Sequence, residues 1–143
     1  MTFDTIVAPT DLEAGSGPGL QVAADIVRRY GRRLVLVAVA RGSDVTVELA
    51  SHEVRPAREE LEERMHTGLA EAAASVGEGI EVETHLRFGE PVTELLAVAH
   101  QVGADAIVIT IKNRSRLGKL VMGSKAQEII LRSDVPVLTV PRR

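Results

Sequence analysis

The sequence predicts an α/β fold: a three-layer α/β/α domain on a five-stranded, mainly parallel open sheet. Three observations predict it. Short β-branched segments alternate with helical patterns in the order βαβαβαβαβ, and strict alternation marks parallel strands joined by helical crossovers. Hydrophobic residues make up 45 % of the chain, yet only 2 % of residues are aromatic, so the core must be Val, Leu, Ile and Ala. That mix suits strands buried on both faces. The 143 residues match one ordinary domain. No repeat, low-complexity segment or boundary interrupts them, so residues 1–143 read as a single domain.

The elements follow in order. Thr5–Ala8 is a short apolar strand. A helix is predicted from about Pro18 to Tyr30, with Leu20, Ala23, Ala24 and Val27 as its apolar stripe and Gly31 as its stop. Gly15, Gly17 and Gly19, just before and within its start, read as a flexible loop. Leu34–Ala40 is the second strand. The polar stretch from Arg41 to Pro56 reads as a surface excursion. The second helix covers about Ala57 to Ala74, with Leu61, Met65, Leu69 and Ala72 inward. Ile80–Arg87 alternates, with Ile80, Val82, Thr84 and Leu86 on one face. The third helix starts at Glu90-Pro91, because proline suits a first helical turn; Val92, Leu95, Leu96 and Ala99 face inward, and Gly103 lies just beyond. Ala106–Thr110 is the fourth strand. The fourth helix starts near Ser124 and carries Ala126, Ile129 and Ile130. Asp134 and Pro136 follow it, and Val135–Val140 is the last strand.

Composition excludes several classes. The chain has no cysteine, which removes disulfides, thiolate metal sites and cysteine nucleophiles. The net charge is −3 with both signs interspersed, giving no general attraction to nucleic acid or anionic membrane. No apolar run approaches the roughly 20 residues of a membrane span, and Met1-Thr2-Phe3-Asp4 lacks the order of a signal peptide. A cytoplasmic location is expected. His52, His66, His85 and His100 have no metal-ligand spacing, and no Gly-x-Ser-x-Gly elbow exists; no catalytic residue and no metal ligand is assigned. The predicted activity is binding, not catalysis.

Open α/β sheets bind ligands beyond the carboxyl ends of their strands, where strand order reverses. That nominates Pro9-Thr10-Asp11, Ala40-Arg41-Gly42, Phe88-Gly89-Glu90 and the run from Ile111 to Met122. The last continues through Gly123, Ser124 and Lys125. From Ile111 to Lys125 it holds five basic residues and no acidic one, and it feeds a helix N-terminus, where free amides and the helix dipole favour an anion. Gly123 allows close approach to the backbone, and Ser124 adds a hydroxyl. The same residues admit a structural reading. Ser124 with Gln127 matches a capping box that needs no ligand, and the cations can be a solvated surface. Gly118 to Lys125 is no Walker A loop, because its lysine and hydroxyl are transposed, and the dinucleotide Gly-x-Gly-x-x-Gly is absent.

Taken in order, these segments resemble the universal stress protein family over nearly the full length. Thr5-Ile6-Val7-Ala8-Pro9-Thr10-Asp11 resembles its first strand and Asp. Phe88-Gly89-Glu90-Pro91 resembles the Gly-x-Pro start of its third helix. Gly103-Ala104-Asp105-Ala106-Ile107-Val108-Ile109 resembles its fourth strand. Gly118-Lys119 through Gly123-Ser124, then Asp134 to Val140, resembles its C-terminal third. The resemblance implies an adenine-nucleotide alpha-hydrolase-like, Rossmann-like architecture. It also implies a stress-response regulatory protein that binds an adenine nucleotide, ATP or AMP, with Mg. Slow hydrolysis is not predicted.

Nucleotide-binding members carry Gly-x2-Gly-x9-Gly-Ser/Thr after strand four. Here Thr110 and Asn113 stand where the first two glycines are expected, and Gly123-Ser124 is retained. Asn113 tolerates positive φ, and Arg114-Ser115 can supply donors in place of glycine amides. The implied nucleotide site is Pro9, Thr10, Asp11, Val39, Thr110, Asn113, Arg114, Ser115, Gly123 and Ser124. Asp11 would meet a metal at most through nucleotide-bound Mg, and is equally well a turn or N-cap residue. Val39, an apolar residue at a strand end, reads first as core. The resemblance further implies a homodimer through Val135–Val140, an apolar strand whose exposed edge invites pairing. The alternative is a nucleotide-free dimeric interaction module of the same fold. An adenylyl-transferring enzyme fits less well, since Asp11-Leu12-Glu13-Ala14-Gly15 stands where such enzymes carry a His-x-Gly-His type turn.

Overall fold

The computed structural model describes residues 3–10, 17–41, 54–112 and 122–142. The strands are β1 (Thr5–Pro9), β2 (Arg33–Ala40), β3 (Glu81–Phe88), β4 (Ala106–Lys112) and β5 (Val137–Arg142). The helices are α1 (Gly17–Tyr30), α2 (Val54–Ser75), α3 (Pro91–Gln101) and α4 (Ser124–Arg132). The sheet order is β3-β2-β1-β4-β5, and every strand pair is parallel. From β1 the chain runs outward to β2 and β3, then returns to the other side of β1 as β4 and β5. The switch point predicted for this fold therefore lies between β1 and β4.

The two faces of the sheet bury separate aliphatic clusters. Alternation along each strand decides the face, because successive side chains point opposite ways. Ile6, Ala8, Leu34, Leu36, Ala38 and Val108 pack under α1 and α2. Val7, Val35, Val37, Ile107 and Ile109 pack under α3 and α4. Leu34, Leu36, Ile6 and Ile107 have no exposed surface, and each such side chain contributes about 1.5–3 kcal/mol of burial.

The helices follow from their stripes. In α1, Leu20, Ala23, Ala24 and Val27 are buried at the spacing of one helical face. In α2, Met65, Leu69 and Ala72 are buried and Leu61 partly so. In α3 the buried set is Val92, Leu95, Val98 and Ala99; Leu96 is only partly buried. In α4 only Ile129 is buried, and Ile130 is exposed. A nine-residue helix lying on one sheet face has room for a single deep anchor.

Several boundaries differ from the sequence reading. Gly17 and Gly19 belong to α1 and not to a flexible loop. The segment 54–56, assigned to the excursion, is helical; Pro56 fits there because a first turn leaves its amides unpaired anyway. The rest of that excursion, 42–53, lies outside the described residues. β5 starts at Val137, two residues later than expected, because Pro136 offers no amide to a ladder. β4 runs two residues longer, to Lys112. Gly103 ends α3 in the left-handed region at φ 65°, which glycine adopts at little cost.

Candidate functional site

The parallel topology places the starts of all four helices at the carboxyl edge of the sheet. At the end of β1, Pro9 pairs with Val37 of β2. The Thr10 amide donates to the Val37 carbonyl at 2.8 Å, which ties the start of the β1–α1 connection to the neighbouring strand. Val39, two residues on, packs with Val35 and Val37 on the α3/α4 face while staying partly exposed. Its packing is that of a core residue at a strand end.

Thr110 lies near the end of β4 on the opposite face. Its hydroxyl accepts a hydrogen bond from the Gly19 amide at 2.8 Å. The absence of a side chain on Gly19 permits this. A Cβ there would stand 2.4 Å from Thr110 Oγ1 and 3.1 Å from the Thr110 nitrogen. Gly17, with φ 55°, faces the same group, and a Cβ on it would lie 3.2 Å from both Thr110 Oγ1 and Arg142 Nη2. The start of α1, the end of β4 and the end of β5 thus meet beside the switch point. Gly17, Gly19 and Arg142 were not among the expected site residues. The signal that points to them is the pair of glycines flanking Pro18 at a helix start, where close packing on a strand end requires small residues.

Gly123 and Ser124 open α4. Gly123 is the N-cap, with φ −62° and ψ 156° and no side-chain cap hydrogen bond. Ser124 is the first helical residue, so the Ser124/Gln127 capping box does not form; Gln127 instead turns its side-chain amide onto the Met122 carbonyl at 3.1 Å. The Gly123 dihedrals are open to any residue, and apart from its own chain neighbours no described residue has an atom within 4 Å of where its Cβ would be. Neither backbone conformation nor packing among the described residues therefore demands glycine here. What a missing side chain does provide is close access to the first amides of α4, with the Ser124 hydroxyl and Lys125 exposed beside them.

Asp11, Asn113, Arg114 and Ser115 lie outside the described residues, as does most of the basic run. Glu90 stands at the start of α3, at the same carboxyl edge of the sheet. It caps α3, accepting from the amides of Val92 at 3.2 Å and Thr93 at 2.7 Å. Hydrogen bonds from the Thr93 side chain and amide hold its carboxyl below the usual range, with smaller help from the Val92 amide and the Arg132 charge. His66 and His100 are exposed on their helices. His85 faces away from Val82 and Leu86, as expected, with Nε2 3.2 Å from a Glu83 carboxylate oxygen; the alignment falls short of a hydrogen bond. His52 lies outside the described residues. Among the described residues, no cluster of three or more His, Asp or Glu could hold a metal ion, and no helix is long and apolar enough to cross a membrane.

A cavity of about 140 Å³ opens at the other, amino edge of the sheet, between α3 and the α4–β5 turn, lined in part by Leu96, His100, Arg132 and Asp134. It falls below the roughly 300 Å³ of small-molecule pockets, and it sits at the edge where open α/β sheets do not bind.

Comparison with known proteins adds to this geometry. Residues 2–141 match the model of the Universal stress protein family. The chain is 25 % identical over 141 residues to universal stress protein MJ0531 of Methanocaldococcus jannaschii, covering 98 % of this chain and 83 % of that one. It is 31 % identical over 80 residues to stress response protein NhaX of Bacillus subtilis, a match spanning 55 % of this chain and 48 % of that protein. Among solved structures, the universal stress protein from Archaeoglobus fulgidus in complex with dAMP superimposes with a TM-score of 0.63 at 25 % identity, covering 98 % of this chain and 99 % of that one.

Proposed function

The chain belongs to the universal stress protein family, and from that premise we propose that it is a stress-response regulatory protein that binds an adenine nucleotide at the carboxyl edge of its sheet. The phosphate sits on the first amides of α4, with Gly123 giving access and Ser124 donating its hydroxyl; Pro9, Thr10, Val39 and Thr110 border the crevice, and Asp11, Asn113, Arg114 and Ser115 complete it. The carrying observation is Gly123: an N-cap with no side-chain cap bond and with no described neighbour that would exclude a side chain. A glycine that neither backbone nor packing requires is accounted for by a ligand approaching the amides. The dAMP complex of the Archaeoglobus fulgidus protein supports the adenine nucleotide class. Mg enters, in this reading, with a polyphosphate ligand. The protein works by binding, not by turnover, and acts in the cytoplasm.

A second reading is a nucleotide-free dimeric interaction module. The surface it would use is β5, an edge strand on which Leu138 remains 43 % exposed. Pairing through β5 is compatible with both readings. Calorimetry with AMP and with ATP plus magnesium separates them. Micromolar binding that Ser124→Ala combined with Gly123→Val abolishes is the expected result. Absence of heat and of any thermal shift at millimolar nucleotide selects the module.

A further inference from the structure

Three arginines among the described residues are partly buried: Arg33, Arg87 and Arg142. A guanidinium keeps its charge and carries five donors, so drawing one out of water costs free energy unless acceptors replace the water it loses. Two of the three meet that need inside the chain. Arg33 donates to the Val102 carbonyl at 2.8 Å and lies 3.5 Å from a Glu83 carboxylate oxygen. Arg87 donates to Gln101 Oε1 at 2.8 Å. Arg142 has no such partner: no described residue accepts a hydrogen bond from it or stands in ion-pair range of it.

Packing nevertheless holds Arg142 in a defined place. It is the last residue of β5, at the carboxyl edge of the sheet, in register with Lys112 of β4. Two cationic residues thus end adjacent strands. Arg142 follows Val140 by two positions and so shares the face on which Val140 packs with the α1/α2 cluster. Its Nη2 rests against Gly17, the first residue of α1: a Cβ on Gly17 would stand 3.2 Å from it. That is the positive end of a helix, where anions are favoured and a cation is not. A structural arginine gains at the opposite end, as Arg132 does in the last turn of α4. No described group rewards the charge of Arg142 at this position; a bound anion does.

We propose that Arg142 is a phosphate-binding residue of the nucleotide crevice, reaching the ligand from the end of β5 while the first amides of α4 reach it from the other face of the sheet. It adds a full charge where Gly123 and Ser124 offer amides and a hydroxyl. A guanidinium suits this task because two of its N–H groups can meet two phosphate oxygens at once. The inference rests on the nucleotide reading above.

The test compares the dissociation constants of AMP, and of ATP with magnesium, for the wild type, Arg142→Met and Arg142→Lys. The first substitution keeps an unbranched apolar stem against α1 and removes the charge; the second keeps the charge. Arg142→Met is expected to bind at least one of the two nucleotides about tenfold more weakly, the loss of one charge-assisted hydrogen bond. Arg142→Lys is expected to bind that nucleotide more tightly than Arg142→Met does. Losses under about threefold for both nucleotides in Arg142→Met overturn the proposal, as do equal losses in Arg142→Met and Arg142→Lys, which would mark a packing role. Either result, beside wild-type binding that Ser124→Ala with Gly123→Val still abolishes, leaves the nucleotide reading standing without Arg142. Thermal melts identify a variant that does not fold, and Arg142→Gln then replaces Arg142→Met. If the wild type binds neither nucleotide, the nucleotide reading fails and the anion contact is tested by itself. Inorganic tripolyphosphate then raises the melting temperature of the wild type and not that of Arg142→Met; an equal rise, or none in either, refutes it.

Discussion

Asp105 and Thr5 hold one another twice. The Asp105 carboxylate accepts from the Thr5 amide at 3.0 Å, and the Asp105 amide donates to the Thr5 carbonyl at 2.8 Å. The two residues are 100 positions apart in sequence. They close the amino end of the β1–β4 ladder, whose register begins at Ile6 and Ala106. The strands they join are those between which the chain reverses its direction across the sheet, so this clamp fixes the frame on which the crevice at the other end of the same strands is built.

Asp105→Ala leaves the amide of Thr5, a residue only 8 % exposed, without its partner. The expected loss is about 1–3 kcal/mol, the cost of a buried donor left unsatisfied. Asp105→Asn keeps an acceptor oxygen and loses less. Urea unfolding measures both, and an Asp105→Ala midpoint equal to the wild type would show that the clamp contributes nothing.

Glu90 gives the stability a dependence on acid. Its carboxyl is held below the usual range in the folded chain, first by the hydrogen bonds of Thr93. A depressed folded value means the stabilisation is fully present above the unfolded value and is lost as pH falls through the folded one. Glu90→Gln therefore lowers the melting temperature at neutral pH, and the gap to the wild type closes in acid. A gap that stays constant across that range would contradict the role given to the ionised cap.

The edge at β5 predicts assembly. An unpaired strand edge carrying a partly exposed leucine favours association with a second copy. The wild type is expected to sediment as a dimer and Leu138→Lys as a monomer with unchanged circular dichroism. A monomeric wild type at micromolar concentration removes the homodimer from both functional readings.

Much of this molecule was legible in its sequence because local patterns encode which face is buried. Period-2 and period-3.6 apolar spacing located all five strands and four helices to within about three residues, a typical boundary error for pattern reading. Proline and glycine marked the ends, as Glu90-Pro91 and Gly103 did for α3. The phosphate-site candidates Gly123 and Ser124 were legible as types at a helix start, but their capping state was not. Whether Ser124 is the cap or the first helical residue depends on where Gly123 leaves the extended region, and Ser-x-x-Gln is compatible with either.

The sequence by itself determined the fold class, the aliphatic core and the family resemblance, because each is a property of neighbouring residues read in order. Tertiary structure alone decided the strand order β3-β2-β1-β4-β5, and with it the meeting of residues 91 positions apart at Gly19 and Thr110. In the sequence, Gly19 looked like slack in a loop and Thr110 like a substitution that weakens a glycine motif. In the folded chain each fills the need of the other: an amide without a helical partner and a hydroxyl with space to reach it. No local pattern carries that information, because the free energy of a hydrogen bond depends on which groups the sheet brings within about 3 Å, and not on their spacing along the chain.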